Sequence, residues 1–150
     1  MFAIEQRVVG PFGVSAWLLS CPETREAVFI DPGDEAPRLL ALARERKVLL
    51  KSIWLTHGHL DHLGAVDALR RESGAPVLHH RSDRTLAEHV PAQAQLLGLG
   101  GDWKPVRADQ LLSGGETLAF GKYRLSVLHT PGHTPGCCCF YYASGEGGKP

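Results

Sequence analysis

The sequence predicts an α/β fold with a metal site at the carboxyl end of a buried strand. Strand-like apolar runs alternate with helical patterns along the first half of the 150-residue chain, and turn residues separate them. A dense group of metal-ligand side chains at residues 56–62 directly follows one of the apolar runs. A chain of this length suits one domain and can bury a hydrophobic core.

The first half predicts a strand meander followed by helices and strands in alternation. Three strands are predicted, at residues 2–9, 14–20 and 27–31. A helix with Pro37 in its first turn follows them and ends near Lys47. A buried strand, a helix that Gly74 ends, and a short strand come next, over residues 48–56, 63–73 and 75–80. This order is typical of an α/β sheet with its site at the carboxyl ends of the strands.

The second half is less regular. Two helical segments, residues 82–89 and 92–97, are separated or kinked by Pro91. After a glycine-rich loop, residues 118–120 and 123–128 predict a hairpin that leads into a further loop at 129–136.

Residues 56–62 carry three histidines and one aspartate. Histidine nitrogen together with aspartate oxygen suits a catalytic zinc, iron or manganese ion. In an extended segment His57, His59 and Asp61 project to one side, because side chains alternate along a strand. His62 faces another way, so the stretch can supply two metal positions. A polar turn with chance histidines is the alternative, and four ligands in so short a stretch argue against it.

The loop at residues 129–136 contains two prolines and two glycines, with His133 at its centre. A ligand on a stiff loop loses less entropy when it binds a metal, so His133 is predicted as the third ligand beside His57 and His59. Three histidines and an open position are typical of a hydrolytic zinc ion, which lowers the pKa of its bound water to about 7. His129 is interpreted as mainly structural, and packing or surface roles are assigned to His79, His80 and His89.

Composition argues against several classes of function. Sixteen basic and sixteen acidic residues balance, which does not favour a nucleic-acid or anionic-membrane surface. No apolar stretch is long enough to span a bilayer, and early charges at Glu5 and Arg7 do not fit a secretory leader. Cys21 and the run at 137–139 do not form a disulfide framework, because neighbours on a strand point to opposite faces. A cytoplasmic protein with reduced thiols is the expectation.

Three motifs resemble those of the metallo-β-lactamase superfamily. Residues 56–62 resemble its H-x-H-x-D-H signature, Asp31-Pro32-Gly33 its early aspartate motif, and residues 130–136 its third-histidine loop. The likeness runs along the whole chain and is closest to the glyoxalase II-like (hydroxyacylglutathione hydrolase-like) branch, especially its short single-domain bacterial members. The resemblance implies an αββα sandwich, of which this chain holds the first sheet, its helices and the start of the second sheet.

The resemblance also implies a dinuclear site, with zinc in both positions and iron or manganese as alternatives. The implied ligands form one set for each ion: His57, His59 and His133 for the first, Asp61 and His62 for the second. A metal-bound hydroxide would attack the carbonyl carbon of a thioester such as S-lactoylglutathione, and the metal would stabilise the oxyanion. Asp61 would orient the hydroxide or take up its proton. Asp31 would steady the histidine loop without binding metal.

The sequence departs from the family pattern after His133. Family members continue with a strand that ends in an aspartate bridging both metals, and with a later histidine, whereas residues 145–150 are turn-like. We therefore expect a metallo-β-lactamase-like domain over residues 1–150 that is incomplete at its C-terminus. It is either a piece of a longer hydrolase, which the undamaged motifs favour, or a half-domain that binds one metal or pairs with another chain.

Other functions on the same scaffold are less favoured. A persulfide dioxygenase with a single iron is compatible with Cys137, but such an enzyme does not need Asp61 and His62 as ligands. A secreted β-lactamase lacks support because no leader is evident, and a tRNA-processing nuclease would show more basic surface. The non-enzymatic alternative is an inactive metal-binding or partner-binding half-domain. The expected partner is a small-molecule thioester, and a homo-oligomer is compatible with the sequence.

Overall fold

The computed structural model describes residues 1–143. The strands of the first sheet are β1 to β6: Ala3–Val9, Val14–Ser20, Glu26–Ile30, Leu49–Trp54, Val77–His80 and Gln110–Leu112. The strands of the second sheet are β7 to β9: Thr117–Phe120, Tyr123–His129 and Cys138–Tyr141. The α-helices are α1 to α4: Ala36–Glu45, Val66–Ser73, Arg84–Glu88 and Val90–Leu96. Two short 3₁₀ turns follow β4 and β5, at Leu60–His62 and Arg81–Asp83.

The two sheets differ in strand direction. The six-stranded sheet has the order β1-β2-β3-β4-β5-β6, with an antiparallel meander β1-β2-β3 and parallel pairing from β3 to β6. The three-stranded sheet β7-β8-β9 is antiparallel. Because β3, β4 and β5 run parallel, their carboxyl ends lie at one edge of the sheet, and the loops that follow these strands meet there.

Side-chain alternation along the central strands builds two cores. In β4, Ile53 faces the helices and packs with Leu39 and Leu69, whereas Trp54 faces the second sheet and packs with Phe120. Both faces of the central strands are therefore buried, which explains their nearly continuous apolar sequence. The described residues form a helix layer, a six-stranded sheet and a three-stranded sheet, and this confirms the predicted α/β class and the predicted part of the αββα sandwich.

The structure corrects the predicted helix start at residue 63. Helix α2 begins at Val66, and residues 60–62 form a 3₁₀ turn. The cause is close packing against the loop after β3: the Ala65 N–H donates to the Pro32 carbonyl at 3.0 Å, and a Cβ on Gly64 would overlap the Gly33 carbonyl oxygen. The short strand β6 carries no recognisable pattern and was not predicted.

The predicted break at Pro91 is confirmed, with Pro91 in the first turn of α4. All four cysteines are free thiols, as expected from their spacing. Within residues 1–143, no helix is both long and apolar enough to cross a membrane.

Candidate metal centre

The polar centre is assembled from loops of both sheets. Asp31 directly follows β3, and His57 lies three residues after β4, its parallel neighbour. His133 lies in the loop between β8 and β9 of the other sheet. The Cys138 N–H donates to the Thr56 carbonyl at 2.9 Å and joins the second sheet to the first histidine loop. The centre therefore depends on the packing of the two sheets.

Three predicted ligands converge at this junction. The donor atoms of His57, His59 and His133 all lie within 4.8 Å of one another. His59 Nδ1 and His133 Nε2 are 2.9 Å apart, close to the roughly 3.3 Å that separates two nitrogens on a tetrahedral zinc ion. His57 Nε2 is buried and has no hydrogen-bond partner among residues 1–143. A buried nitrogen without a partner is costly, so this donor set fits a metal ion.

Burial keeps two of these histidines neutral. Burial, assisted by the neighbouring His62, lowers the pKa of His57 to about 4. Burial also lowers the pKa of His59, and the nearby His133 adds to the effect. A neutral imidazole offers its lone pair to a metal, so both rings are in the form that binds one.

His62 is held by the aspartate after β3. The Asp31 carboxylate accepts hydrogen bonds from the Thr56 N–H at 2.7 Å, the Thr56 hydroxyl at 2.5 Å and His62 Nδ1 at 3.0 Å. Burial opposes protonation of His62, but the hydrogen bond and charge of Asp31 raise its pKa above the ordinary value. Asp31, His57 and His62 also have donor atoms within 4.8 Å. Because the Asp31 oxygens already accept three hydrogen bonds, we assign Asp31 to orienting His62 and the loop.

Asp61 lies beside His62 and outside the group of three histidines. Its Oδ2 is 3.6 Å from His62 Nε2, and its side chain is partly exposed. The prediction that His57, His59 and Asp61 project together from an extended segment is wrong, because the chain turns at Leu60–His62. The turn is fixed from behind, since a Cβ on Gly33 would overlap the Asp61 carbonyl oxygen. Asp61 and His62 thus form a pair of their own.

The sequence reasoning missed Asp83, which is almost fully buried at the end of the 3₁₀ turn after β5. Its carboxylate accepts hydrogen bonds from the Gly58 N–H at 2.9 Å, the Thr134 hydroxyl at 2.6 Å and the Gly136 N–H at 2.7 Å. Asp83 therefore contacts both histidine loops. An isolated aspartate after a strand carries no motif, so only the three-dimensional arrangement reveals it.

Gln93 of α4 supports the first histidine loop. Its side-chain oxygen accepts from the Leu60 N–H at 3.0 Å, and its amide nitrogen donates to the Gly58 and Leu86 carbonyls at 3.1 and 2.8 Å. The sequence placed Gln93 only in the predicted helical segment 92–97, and nothing in that segment indicated the contact.

The remaining histidines lie outside the ligand group. His79 and His80 are buried, and His89 is exposed with Nδ1 2.7 Å from the Thr85 carbonyl. The His80 ring stacks on His129 with centroids 4.0 Å apart, and His129 Nε2 lies 2.8 Å from the Pro135 carbonyl. These contacts agree with packing and surface roles.

In the cysteine run next to the centre, Cys138 packs in the core, whereas Cys137 is half-buried and Cys139 is exposed. Cys138 is buried, and burial raises the pKa of its thiol to about 12. A thiol that stays protonated is a poor metal ligand, because the thiolate is the form that binds. For Cys138 this agrees with the interpretation of the run as strand packing.

The chain was compared with known protein families, curated proteins and solved structures. The family model described as the metallo-beta-lactamase superfamily matches residues 9–146 of this chain. The hydroxyacylglutathione hydrolase GloC of Haemophilus influenzae is 38% identical over 115 residues, which cover 76% of this chain and 54% of that protein. The probable metallo-hydrolase YqgX of Bacillus subtilis is 33% identical, with coverage of 89% of this chain and 62% of YqgX. The chain thus spans less than two thirds of the length of these relatives.

A solved structure with the same fold is the BLEG-1 B3 metallo-beta-lactamase, with a TM-score of 0.84 and 35% identity. The match covers 93% of this chain and 67% of BLEG-1. TTHA1623, solved in a di-iron-bound form, gives a TM-score of 0.80 and 37% identity, covering 92% of this chain and 66% of TTHA1623.

Proposed function

Because the chain belongs to the metallo-β-lactamase superfamily, we propose that it acts as a metal-dependent hydrolase on a thioester such as S-lactoylglutathione. The observation that carries the proposal is the convergence of one nitrogen each from His57, His59 and His133. Within residues 1–143, His57 Nε2 is buried and has no hydrogen-bond partner, which adds support. The similarity to a protein named hydroxyacylglutathione hydrolase supports the thioester class.

The residues of the centre would have two kinds of role, metal binding and proton transfer. His57, His59 and His133 would hold the first metal, and Asp61 with His62 would contribute to a second position. A bound metal supplies a nucleophile at neutral pH by lowering the pKa of its water, and it polarises the substrate carbonyl. The partly exposed Asp61 carboxylate can accept a proton at the mouth of the centre. Asp31 fixes the ring of His62 through its Nδ1, which leaves Nε2 facing Asp61.

Metal identity is part of the proposal. Three imidazoles accept zinc and iron alike, and the similarity to a protein solved with two irons supports iron as well as zinc. Elemental analysis of the purified chain, followed by reconstitution with zinc, ferrous iron or manganese, would identify the active metal. Iron content with oxygen uptake and no hydrolysis would favour the persulfide dioxygenase-type alternative.

The proposed function is tested by assaying S-lactoylglutathione hydrolysis on the metal-loaded chain and on Asp61→Asn. Asp61 lies outside the group of three histidines, so the variant should keep the first metal and lose at least about 100-fold in turnover. Metal binding without turnover in the wild type would reject hydrolysis for this chain and favour the inactive metal-binding alternative. If the turnover of Asp61→Asn equals that of the wild type, the proposed role of Asp61 is rejected.

Cytoplasmic location and homo-oligomer formation stay predictions. Four free thiols are consistent with a reducing compartment, and fractionation of the native host would test this. Sedimentation of the purified chain would test the oligomer.

A further inference from the structure

A buried carboxylate joins the two loops that deliver the three histidines. Asp83 lies after β5, and it is only 1% exposed. Its Oδ2 accepts from Gly58, the residue between His57 and His59, and from the Thr134 hydroxyl next to His133. Its Oδ1 accepts from the Gly136 N–H. One side chain therefore bonds to a neighbour of each of the three histidines.

The fit around this carboxylate is tight on both sides. A Cβ on Gly136 would lie 2.6 Å from Asp83 Cγ, and a Cβ on Gly58 would lie 3.2 Å from Asp83 Cβ. Gly136 leaves no room for a Cβ beside the carboxylate, and Gly58 leaves little, so glycine lets both loops approach Asp83 closely. The distance between the loops is thus set by three short hydrogen bonds to one rigid group.

We propose that Asp83 is a positioning residue that fixes the spacing between the His57–His59 loop and the His133 loop, and thereby sets the metal affinity of the three-histidine centre. This inference rests on the proposed metal site but not on its substrate. The physical reason is preorganisation: without Asp83, both loops must be ordered when the metal binds, and that entropy cost lowers affinity. Residues behind the ligands of a metal typically change its affinity about 10–100-fold.

The chain offers a matched control in Asp109, whose carboxylate lies near the opposite end of β5. Asp109 accepts from the Val77 N–H at 2.8 Å and pairs with Arg70 at 2.6 Å. Asp109→Asn therefore weakens a similar connection between backbone and carboxylate without touching either histidine loop. It separates a general loss of stability from a specific effect on metal binding.

The experiment is a zinc titration of the metal-free full chain against a competing chelator, with no substrate present. In Asp83→Asn an amide NH₂ replaces one acceptor oxygen, so at least one of the three donors loses its partner. We expect zinc affinity to fall about 10–100-fold in Asp83→Asn and to stay within about threefold of wild type in Asp109→Asn. Unchanged affinity in Asp83→Asn, or an equal loss in both variants, would overturn the inference.

Thr134 provides a second test if Asp83→Asn does not fold. Thr134→Val removes one hydrogen bond to Asp83 and keeps the side-chain shape, whereas Thr134→Ser keeps the hydroxyl. We expect Thr134→Val to lower zinc affinity about tenfold and Thr134→Ser to keep it near the wild-type value. Equal affinities in the two variants would overturn the inference.

Failure of the inference can be told apart from failure of the proposed function. A wild type that binds zinc but hydrolyses no thioester rejects the proposed function, while the same titrations still decide the role of Asp83. A wild type that takes up none of zinc, ferrous iron or manganese overturns both.

Discussion

Two groups of three histidines lie at the ends of strands in this molecule, and they differ in what their nitrogens face. In the ligand group, His57, His59 and His133, the donor atoms lie within 4.8 Å of one another. In the packing group, His79, His80 and His129, the contacts are to carbonyl oxygens, a backbone N–H and a stacked ring. The same residue type therefore serves two purposes within a short distance along the chain.

The difference shows that the way the loops are anchored, not histidine content, distinguishes the two groups. The ligand group lies on loops that are anchored from outside by Asp31, Asp83 and Gln93, and one nitrogen of each ring converges on the same point. In the packing group one nitrogen of each ring faces a backbone group instead of another histidine nitrogen. Three comparisons of variants can break or sharpen this distinction.

The largest effect is expected from the ligand histidine of the second sheet. His133→Ala removes a donor that no other described residue replaces, so stoichiometric zinc should be lost after dialysis, with a fall in affinity of more than about 100-fold. His129 lies four residues earlier, and its Nε2 contacts the Pro135 carbonyl instead of the ligand group. The variant His129→Ala should therefore retain about one zinc per chain. Elemental analysis of both dialysed variants measures the difference.

Zinc that persists in His133→Ala would move the ligand assignment to the group of Asp31, His57 and His62. Zinc lost from His129→Ala would show that the packing group takes part in the centre. Thermal unfolding of the metal-free variants is the control, because a folded apo protein excludes indirect loss.

The ligand group could be predicted from sequence because its residues are concentrated. His57 and His59 stand two apart after an apolar strand, and their donor atoms lie on one side as period-two alternation predicts. The alternation fails at Asp61, because the 3₁₀ turn depends on contact with Gly33, which is distant in sequence. The contacts of Asp83 could not be predicted, since they arise from the packing of the second sheet against the first.

The same contrast between local and tertiary causes separates the elements of the fold that were predicted from the one that was not. The meander and the alternating helices and strands follow from apolar periodicity and turn residues, which act locally. Strand β6 has three residues and is defined by pairing of Gln110–Leu112 with β5, so its sequence alone gives no signal. Features with local causes were predicted, and features with tertiary causes were not.

An intermediate effect on stability and zinc binding is expected at Gly33, which packs against the turn that carries Asp61 and His62. Gly33→Ala places a Cβ against the Asp61 carbonyl oxygen, so the turn carrying Asp61 and His62 must shift. We expect the free energy of unfolding to fall by about 1–3 kcal/mol, with weaker zinc binding. Gly132→Ala is the matched control, because its Cβ meets no atom within 4 Å although it adjoins His133. Urea unfolding and zinc titration of both variants test this, and equal stability would show that the turn yields without cost.

The smallest effect is expected inside the packing group. His80→Phe keeps a ring to stack on His129 and removes Nδ1, which accepts the Ser82 N–H at 3.2 Å. Losing that hydrogen bond should cost about 0.5–1.5 kcal/mol of unfolding free energy, and the exposed Ser82 can turn to water. His80 Nε2 is buried without a partner in the described part of the chain, so its removal offsets some of the cost. Urea unfolding should show a change below about 1 kcal/mol with unaltered zinc content. A loss of zinc instead would mean that the ring of His80 is coupled to the metal centre through the turn that ends at Asp83.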